Sequence, residues 1–249
     1  MEIINENNSE LFKACRSGNI ELVEKIMNTS FVNINAVDSD GDTPLIMALV
    51  NWHPYVVKKL LEHPDLDVNA PSTSGLTPLM WAIFWSDPND GEHFDAVKTL
   101  LKVPSLQLGK RCDNGCTALH YACQSNTLSF LKQIINDTRC NIALINKKDN
   151  DGYTPLMTAV VMGHLDIVKE LDIEGTDYHI TNMYGKTLIQ MARTRNNTEM
   201  VEYLMKRPNV DTLMVICARN ICRYVTTIDD VELLQIPFTV KQFLARFVN

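Results

Sequence analysis

The sequence lacks any uncharged apolar run long enough to cross a bilayer, and its ten glycines and ten prolines are too few for a low-complexity linker. The first ten residues carry three glutamates and no basic residue, so they lack the basic region and apolar run of a secretory signal. These absences predict a globular protein that is not bound to membranes. We expect a cytoplasmic location, with the nucleus as the second candidate compartment.

A disulfide framework and an excess of positive charge are also missing. The seven cysteines are odd in number and scattered from Cys15 to Cys222, which favours reduced thiols. Asp and Glu outnumber Lys and Arg by 30 to 23, and residues 211–249 hold four of each, so the acidic excess lies entirely in residues 1–210. Binding to nucleic acid depends on Lys and Arg that neutralise phosphates. The charge balance therefore argues against nucleic acid and anionic membranes as partners.

One short motif, Gly-x-Thr followed by apolar residues, occurs five times. It begins at Gly41, Gly75, Gly115, Gly152 and Gly185, at intervals of 34, 40, 37 and 33 residues. Glycine permits the positive φ of a tight turn, the threonine hydroxyl caps a following helix, and proline after the threonine fits the first helical turn. An alanine five residues after each threonine and a second apolar cluster with i, i+3, i+4 spacing predict two packed helices in each repeat.

These repeats resemble ankyrin repeats over most of residues 9–210, including His120 in the string Thr-Ala-Leu-His and the pair Gly163-His164 between the helices. The resemblance implies an all-α fold, an ankyrin-repeat solenoid. A degenerate copy that starts at Glu10 lacks the Gly-x-Thr-Pro motif, and it predicts an N-terminal cap because the outer faces of a stack must tolerate water. We therefore predict a capping repeat over residues 1–40 and five repeats over residues 41–210.

Two stretches have the residue types of a metal site. A polar insertion at residues 86–93 has acidic residues without the spacing of a calcium loop, so we predict a surface loop. Cys112, Cys116, His120 and Cys123 lie within twelve residues, as zinc ligands can. The repeat register instead places His120 in a hydrogen bond to the neighbouring turn and Cys123 in the core, which favours thiols and no metal.

The sequence has no motif that predicts catalysis. A phosphate-binding glycine loop, a Gly-x-Ser-x-Gly string and a Cys/His nucleophile signature are all missing from the chain. We therefore predict a protein that is not an enzyme and needs no cofactor.

The tryptophans concentrate in the first two full repeats. By repeat register, Phe84 and Trp85 fall at the exposed end of an inner helix and Trp81 falls nearer the interior. These rings either anchor a ligand or pack beneath the insertion. The predicted substrate-binding residues are Trp52, Leu76, Phe84, Trp85, Tyr153 and Tyr184. Acidic residues on the turns predict a ligand with basic groups, and they are Asp38, Asp40, Asp42, Asp149 and Asp151.

Residues 211–249 leave the repeat pattern but are too apolar for a solvated tail. Leu213, Cys217 and Ile221 follow one another at i, i+4 and i+8, which predicts one stripe of a helix. A second helical stripe from Val240 to Phe247 is preceded by Leu234-Gln-Ile-Pro, with the proline in its first turn. The segment is predicted to be a short helical module.

The first stripe, with Thr212 before it, resembles the elongin-binding motif of SOCS boxes. The chain as a whole is similar to the ankyrin-repeat and SOCS-box family. The resemblance implies that Leu213 fills an apolar pocket on elongin C and that Thr212, Cys217 and Ile221 complete this contact. It also implies that a cullin is bound by Leu234, Ile236, Pro237 and Val240. Gln235 replaces a proline of the usual Leu-Pro-aliphatic-Pro string, so the identity of the cullin is left open.

The resemblance implies a non-catalytic substrate receptor of a cullin-RING ubiquitin ligase. The repeats would bind the target protein, and the C-terminal SOCS box would bind elongin B, elongin C and a cullin. Two alternatives stay open: an interaction scaffold whose C-terminal segment only caps the stack, and an adaptor with an F-box-like segment that binds a Skp-type protein.

Overall fold

The computed structural model describes residues 2–29, 31–85 and 91–206, and within these ranges the chain contains helices, turns and loops. None of the described helices is both long and apolar enough to span a bilayer. The predicted elongin and cullin residues, from Thr212 to Val240, lie outside the described residues. The helices, in chain order, are α1 (Glu2–Ser17), α2 (Ile20–Met27), α3 (Pro44–Val50), α4 (Pro54–Leu60), α5 (Pro78–Phe84), α6 (Gly91–Leu101), α7 (Ala118–Gln124), α8 (Leu128–Ile135), α9 (Ile142–Ile145), α10 (Pro155–Met162), α11 (Leu165–Glu170), α12 (Leu188–Thr194) and α13 (Thr198–Met205).

Each repeat opens with a five-residue turn, here called a finger. The fingers span residues 38–42, 72–76, 112–116, 149–153 and 182–186, and the glycine of each has a φ between 69° and 79°. The threonine that follows caps an inner helix: Thr43 and Thr154, for example, accept hydrogen bonds from backbone N–H groups three residues later, at 3.2 and 3.3 Å. The turn and the cap predicted from the repeated motif are therefore confirmed.

Packing divides the chain into two compact units, which are described separately. The described residues of the first unit lie within 1–176 and 181–186, and those of the second are residues 177–180 and 187–206. In the first unit the inner helices α3, α5, α7 and α10 pack in a row, and the outer helices α4, α6, α8 and α11 form a parallel row against them. In the second unit α12 packs on α13.

Small residues let the two helices of a repeat approach closely. Ala48, Ala122 and Ala159 on the inner helices are completely buried. The outer helices contribute larger side chains to the same core, such as Leu60 and Phe130, which are at most 1% exposed. The apolar spacing of the sequence therefore identified the buried faces correctly.

The structure differs from the sequence prediction at two helices. α6 begins at Gly91, so the loop predicted for residues 86–93 is wrong at its end, where the chain extends an outer helix whose Ala96, Val97 and Leu100 are buried. The rest of that insertion, residues 86–90, lies outside the described residues. The four-residue helix α9 was not predicted, although Asn141 caps it through a hydrogen bond from the backbone N–H of Leu144 at 2.9 Å.

The N-terminal helices do not by themselves establish a cap. α1 starts at Glu2, eight residues before the degenerate copy recognised in the sequence, and α2 follows after Gly18 and Asn19. The capping role of this helix pair and the domain boundaries near residues 40 and 210 stay predictions.

Candidate binding face

The inner helices of the first unit differ from the outer helices in charge. The sequences of α3, α5, α7 and α10 contain no Asp, Glu, Lys or Arg. The neighbouring outer helices α4, α8 and α11 all carry lysine. The inner row therefore has an uncharged surface. An apolar partner that binds there does not strip water from ionised groups of the protein, a step that would cost free energy.

Four aromatic residues, Trp81, Phe84, Trp85 and Tyr121, form what we call the aromatic patch. The rings of Trp81 and Trp85 lie parallel, with an interplanar angle of 6° and centroids 6.3 Å apart. Phe84 meets Trp85 and Tyr121 edge-on, at 5.4 and 5.7 Å. Phe84 is 40% and Trp85 51% exposed, whereas Tyr121 is buried. The exposure expected for Phe84 and Trp85, and the more interior position of Trp81, are confirmed.

The other predicted binding residues are spread over the fingers. Leu76 and Tyr153 are half-buried on the second and fourth fingers, and Tyr184 is 64% exposed on the fifth. Sequence reasoning missed Tyr121, because its place in the repeat is typical of the core. The patch is thus built from α5 and α7, whereas Leu76, Tyr153 and Tyr184 lie on three separate fingers.

Trp52 occupies a strained backbone position. Its φ is 60°, at the point after α3 where the chain turns into the next helix. The same place in other repeats is taken by Gly163, Asn126 or Asn196, which tolerate a positive φ far better than a bulky side chain does. Strain of this kind is frequent at functional sites. The sequence already indicated this strained position, because Trp52-His53 aligns with Gly163-His164 and tryptophan therefore stands where another repeat has glycine.

The acidic finger residues have two different roles. The Asp38 carboxylate accepts hydrogen bonds from the backbone N–H groups of Asp40 and Asp42, at 2.9 and 3.0 Å. Asp149 does the same for Asp151 and Tyr153, at 3.0 and 2.8 Å. Asp38 and Asp149 therefore shape their turns, and the residues available to a basic ligand are the exposed Asp40 and Asp151 and the half-buried Asp42.

Electrostatic repulsion is already present on the first finger. Burial raises the pKa of Asp42 above its ordinary value, and the neighbouring carboxylates of Asp38 and Asp40 raise it further. A cation supplied by a partner would relieve this repulsion.

Backbone hydrogen bonds join successive fingers. The N–H of Asn150 donates to the carbonyl oxygen of Asn114 at 3.0 Å, and the N–H of Met183 donates to that of Asp151 at 3.1 Å. Each bond links one repeat to the next, so the fingers are held in a row instead of projecting independently.

The cysteine and histidine cluster has other partners than a metal. His120 Nε2–H donates to the carbonyl oxygen of Tyr153 at 3.0 Å, and Nδ1 accepts from the backbone N–H of Thr117 at 3.1 Å. Cys112 Sγ lies 3.5 Å from the hydroxyl of Tyr121, and burial raises the pKa of Cys116 to about 12. In the ranges that the structure describes, no group of three or more His, Cys, Asp or Glu residues is arranged to hold a metal ion.

His120 makes the stability of the fold dependent on pH. Burial lowers the pKa of His120 below its ordinary value of 6.5, so the unfolded chain binds the proton more readily than the folded one. The stability that the folded protein gains from neutral His120 is therefore fully present above about pH 6.5 and declines as the pH falls below this value. We expect the free energy of unfolding, measured by urea denaturation, to fall between about pH 7.5 and about pH 5.5.

The variant His120→Gln provides the control. Gln190 occupies the same place in α12 and accepts the same hydrogen bond, from the backbone N–H of Thr187 at 2.9 Å. Glutamine thus preserves the capping box without titrating, and the variant should lose less stability over this pH range than the wild type. Equal losses in the two proteins would contradict the assignment.

A second concave feature, missed by sequence reasoning, lies at the N-terminal end of the first unit. A groove of about 380 Å³ separates α1 from the first finger, and Phe12, Lys13, Arg16 and Val37 contribute to its walls.

Comparison with known proteins agrees with the repeat architecture. A family model for ankyrin repeats, in three copies, matches residues 11–107 and 89–182. The chain is 30% identical over 96 residues to the ankyrin repeat protein YahD of Escherichia coli, a match that covers 36% of this chain and 46% of YahD. It is 38% identical over 61 residues to human ankyrin repeat domain-containing protein 49, covering 24% of each chain. The chain thus spans less than half the length of these curated relatives.

A solved structure extends the likeness over a larger part of the chain. The ankyrin repeat protein EF0377 superposes with a TM-score of 0.71 at 25% identity, covering 80% of this chain and 98% of that one.

Proposed function

The chain belongs to the ankyrin-repeat family, and from that premise we propose that it is a non-catalytic protein-binding module that uses the inner helices and fingers of its first unit. The observation that carries this proposal is the aromatic patch on an uncharged helical surface. Two large rings, Phe84 and Trp85, are 40% and 51% exposed there. Exposed aromatic clusters of this kind are the usual anchors of protein–protein interfaces.

The fingers define the chemistry of the partner. Asp40, Asp42 and Asp151 lie on the fingers that precede the uncharged inner helices α3 and α10, so a segment that combines apolar residues with Lys or Arg is complementary to both parts. The hydrogen bonds from Thr73 Oγ1–H to the Asp40 carbonyl oxygen, at 2.9 Å, and from Met183 N–H to the Asp151 carbonyl oxygen hold these two fingers to their neighbours before binding. A preorganised surface of this kind loses little conformational entropy when the partner docks.

We also propose the finer function, that of a substrate receptor of a cullin-RING ubiquitin ligase. Its support is the sequence resemblance of residues 212–221 to a SOCS-box motif. In this role the aromatic patch captures the target, Leu213 enters an apolar pocket of elongin C, and residues 234–240 contact a cullin. The protein supplies proximity, because it holds a target lysine near the ubiquitin-charged enzyme.

The experiment separates elongin binding from target binding in the full-length chain. Co-purification with elongins B and C is expected for the wild type and should be abolished by Leu213→Asp, since a carboxylate cannot enter an apolar pocket without a large desolvation cost. Asn220→Asp adds the same charge at a variable position of the motif and should leave the complex intact. A stable elongin complex of Leu213→Asp would exclude the receptor role.

Target capture is measured in parallel by proximity labelling. Phe84→Ala/Trp85→Ala should lose the labelled target proteins but keep the elongins. Tyr55→Ala, which removes a 71% exposed ring from the outer helix α4, serves as the matched control and should keep both. Targets retained by the double variant would place the binding site elsewhere. A protein that captures targets but no elongin would be an interaction scaffold, and one that binds a Skp-type protein would carry an F-box-like segment.

A further inference from the structure

Trp81 has a hydrogen-bond donor that the described part of the protein does not satisfy. Its Nε1 is buried, and no acceptor lies within hydrogen-bond distance of it. Buried indole N–H groups usually have a partner, because leaving such a donor unpaired destabilises the folded state. The unpaired donor belongs to the aromatic patch, in which the ring of Trp81 stacks with the exposed ring of Trp85.

The neighbouring repeats satisfy the polar group at this position. Trp81 is the fourth residue of α5, and the fourth residues of α7 and α10 are Tyr121 and Thr158. The hydroxyl of Tyr121 lies 3.5 Å from Cys112 Sγ, and that of Thr158 donates to the carbonyl oxygen of Thr154 at 3.2 Å. An unpaired donor is therefore not a general property of this position in the inner row.

Resting on the binding function proposed above, we propose that Trp81 Nε1–H is a specificity-determining donor that bonds to a backbone carbonyl oxygen of the bound partner segment. This segment has apolar residues that contact the aromatic patch and Lys or Arg residues that face the carboxylates of the fingers. The donor is buried in the free protein, so docking of this segment is accompanied by a shift of the exposed Trp85 ring, which stacks with Trp81.

The position of Trp85 permits this movement. Trp85 caps the C-terminus of α5, with φ −95° and ψ 0°, and half of its side chain is already in solvent. Moving the ring gives up its contacts with the rings of Trp81 and Phe84. The hydrogen bond that forms satisfies a buried donor, which offsets part of this loss.

The test compares Trp81→Phe, which removes the indole N–H and retains an aromatic ring, with Tyr55→Phe, which removes the hydroxyl of a ring that is 71% exposed on the outer helix α4. The probe is a peptide selected from a random phage-displayed library on the full-length chain and then resynthesised. Trp81→Phe should weaken its binding about three- to tenfold, whereas Tyr55→Phe should change it by less than about twofold.

Analogues of the peptide in which one backbone amide is replaced by an ester locate the acceptor, since an ester carbonyl accepts hydrogen bonds weakly. One ester position should weaken binding to the wild type but not to Trp81→Phe, the non-additivity expected of two groups in direct contact. In the wild type, the indole ¹H–¹⁵N resonance of Trp81 should move downfield when the unmodified peptide is added, which tests the bond without any substitution.

Results that contradict the role of Trp81 differ from results that contradict the binding face. Equal affinities of Trp81→Phe and Tyr55→Phe, or the absence of a coupled ester position, would overturn the role of Trp81 and leave the binding face in place. A peptide that binds Phe84→Ala/Trp85→Ala as tightly as the wild type would overturn the face itself, and the role of Trp81 with it. A library that yields no binder would likewise overturn both the binding face and the role of Trp81.

Discussion

Gly152→Ala is expected to lower the free energy of unfolding by about 3 kcal/mol, and Gly185→Ala by about 1 kcal/mol. Both glycines have a positive φ, 78° and 69°. They differ in what a Cβ atom would meet: at residue 152 it would lie 2.8 Å from the backbone nitrogen of Met183, and at residue 185 nothing lies within 4 Å. The pair therefore separates the cost of a left-handed backbone from the cost of a steric clash.

The clash at residue 152 involves backbone and cannot be relieved by rotating a side chain. The fifth finger must shift, and the hydrogen bond from Met183 N–H to the Asp151 carbonyl oxygen, 3.1 Å long, must lengthen or break. Urea denaturation followed by circular dichroism measures both variants. Equal destabilisation would show that adjacent fingers are not held together as the structure indicates.

Arg139→Leu is expected to lower the free energy of unfolding by about 3 kcal/mol, because Arg139 joins two successive repeats. Its guanidinium binds the Asp137 carboxylate through two hydrogen bonds, Nε to Oδ1 at 2.8 Å and Nη2 to Oδ2 at 2.6 Å. The remaining donors reach the carbonyl oxygens at and after the end of α6, those of Leu101, Val103 and Leu106. Leucine keeps part of the side-chain volume but leaves these oxygens and the mostly buried carboxylate without their donors.

Arg111→Leu is the matched control. Arg111 also joins successive repeats, because it donates to the Gly115 carbonyl oxygen of the third finger and to the Asn150 side chain of the fourth, both at 2.9 Å, but it is exposed. Water can replace exposed hydrogen bonds, so the expected loss is below about 1 kcal/mol. Similar losses in the two variants, measured by urea denaturation, would contradict the role assigned to Arg139.

The stability contributed by the ion pair of Asp137 and Arg139 depends on pH in the acidic range. The hydrogen bonds from Arg139 lower the pKa of Asp137 below its ordinary value of 3.8. Its contribution to stability is therefore present above that ordinary value and is lost as the pH falls through the lower pKa of the folded state. Arg139→Leu should remove this part of the acid dependence, as a comparison of wild type and variant over the acidic range will show.

The sequence predicted the binding residues unevenly. Phe84 and Trp85 were identified because the repeat register fixes which helical positions face solvent, and the structure exposes both. Asp38 and Asp149 were assigned to ligand binding, but their carboxylates bond to their own turns. Tyr121 was missed because contact between its ring and Phe84 depends on how two inner helices pack. The elongin and cullin residues lie outside the described part of the chain and stay predictions.

The sequence alone determined the repeat, the turn at each finger, the threonine caps and the buried faces of the helices. These features depend on residues within a few positions of each other, where a positive φ, a capping hydroxyl or an i, i+4 spacing acts locally. The tertiary structure alone decided which polar groups find partners. Arg139 and Val103 are 36 residues apart in the chain, and Asn150 and Asp113 are 37 apart. Such pairs meet only when one repeat stacks on the next. The structure also shows that the indole N–H of Trp81 is buried and unpaired, which the sequence does not reveal.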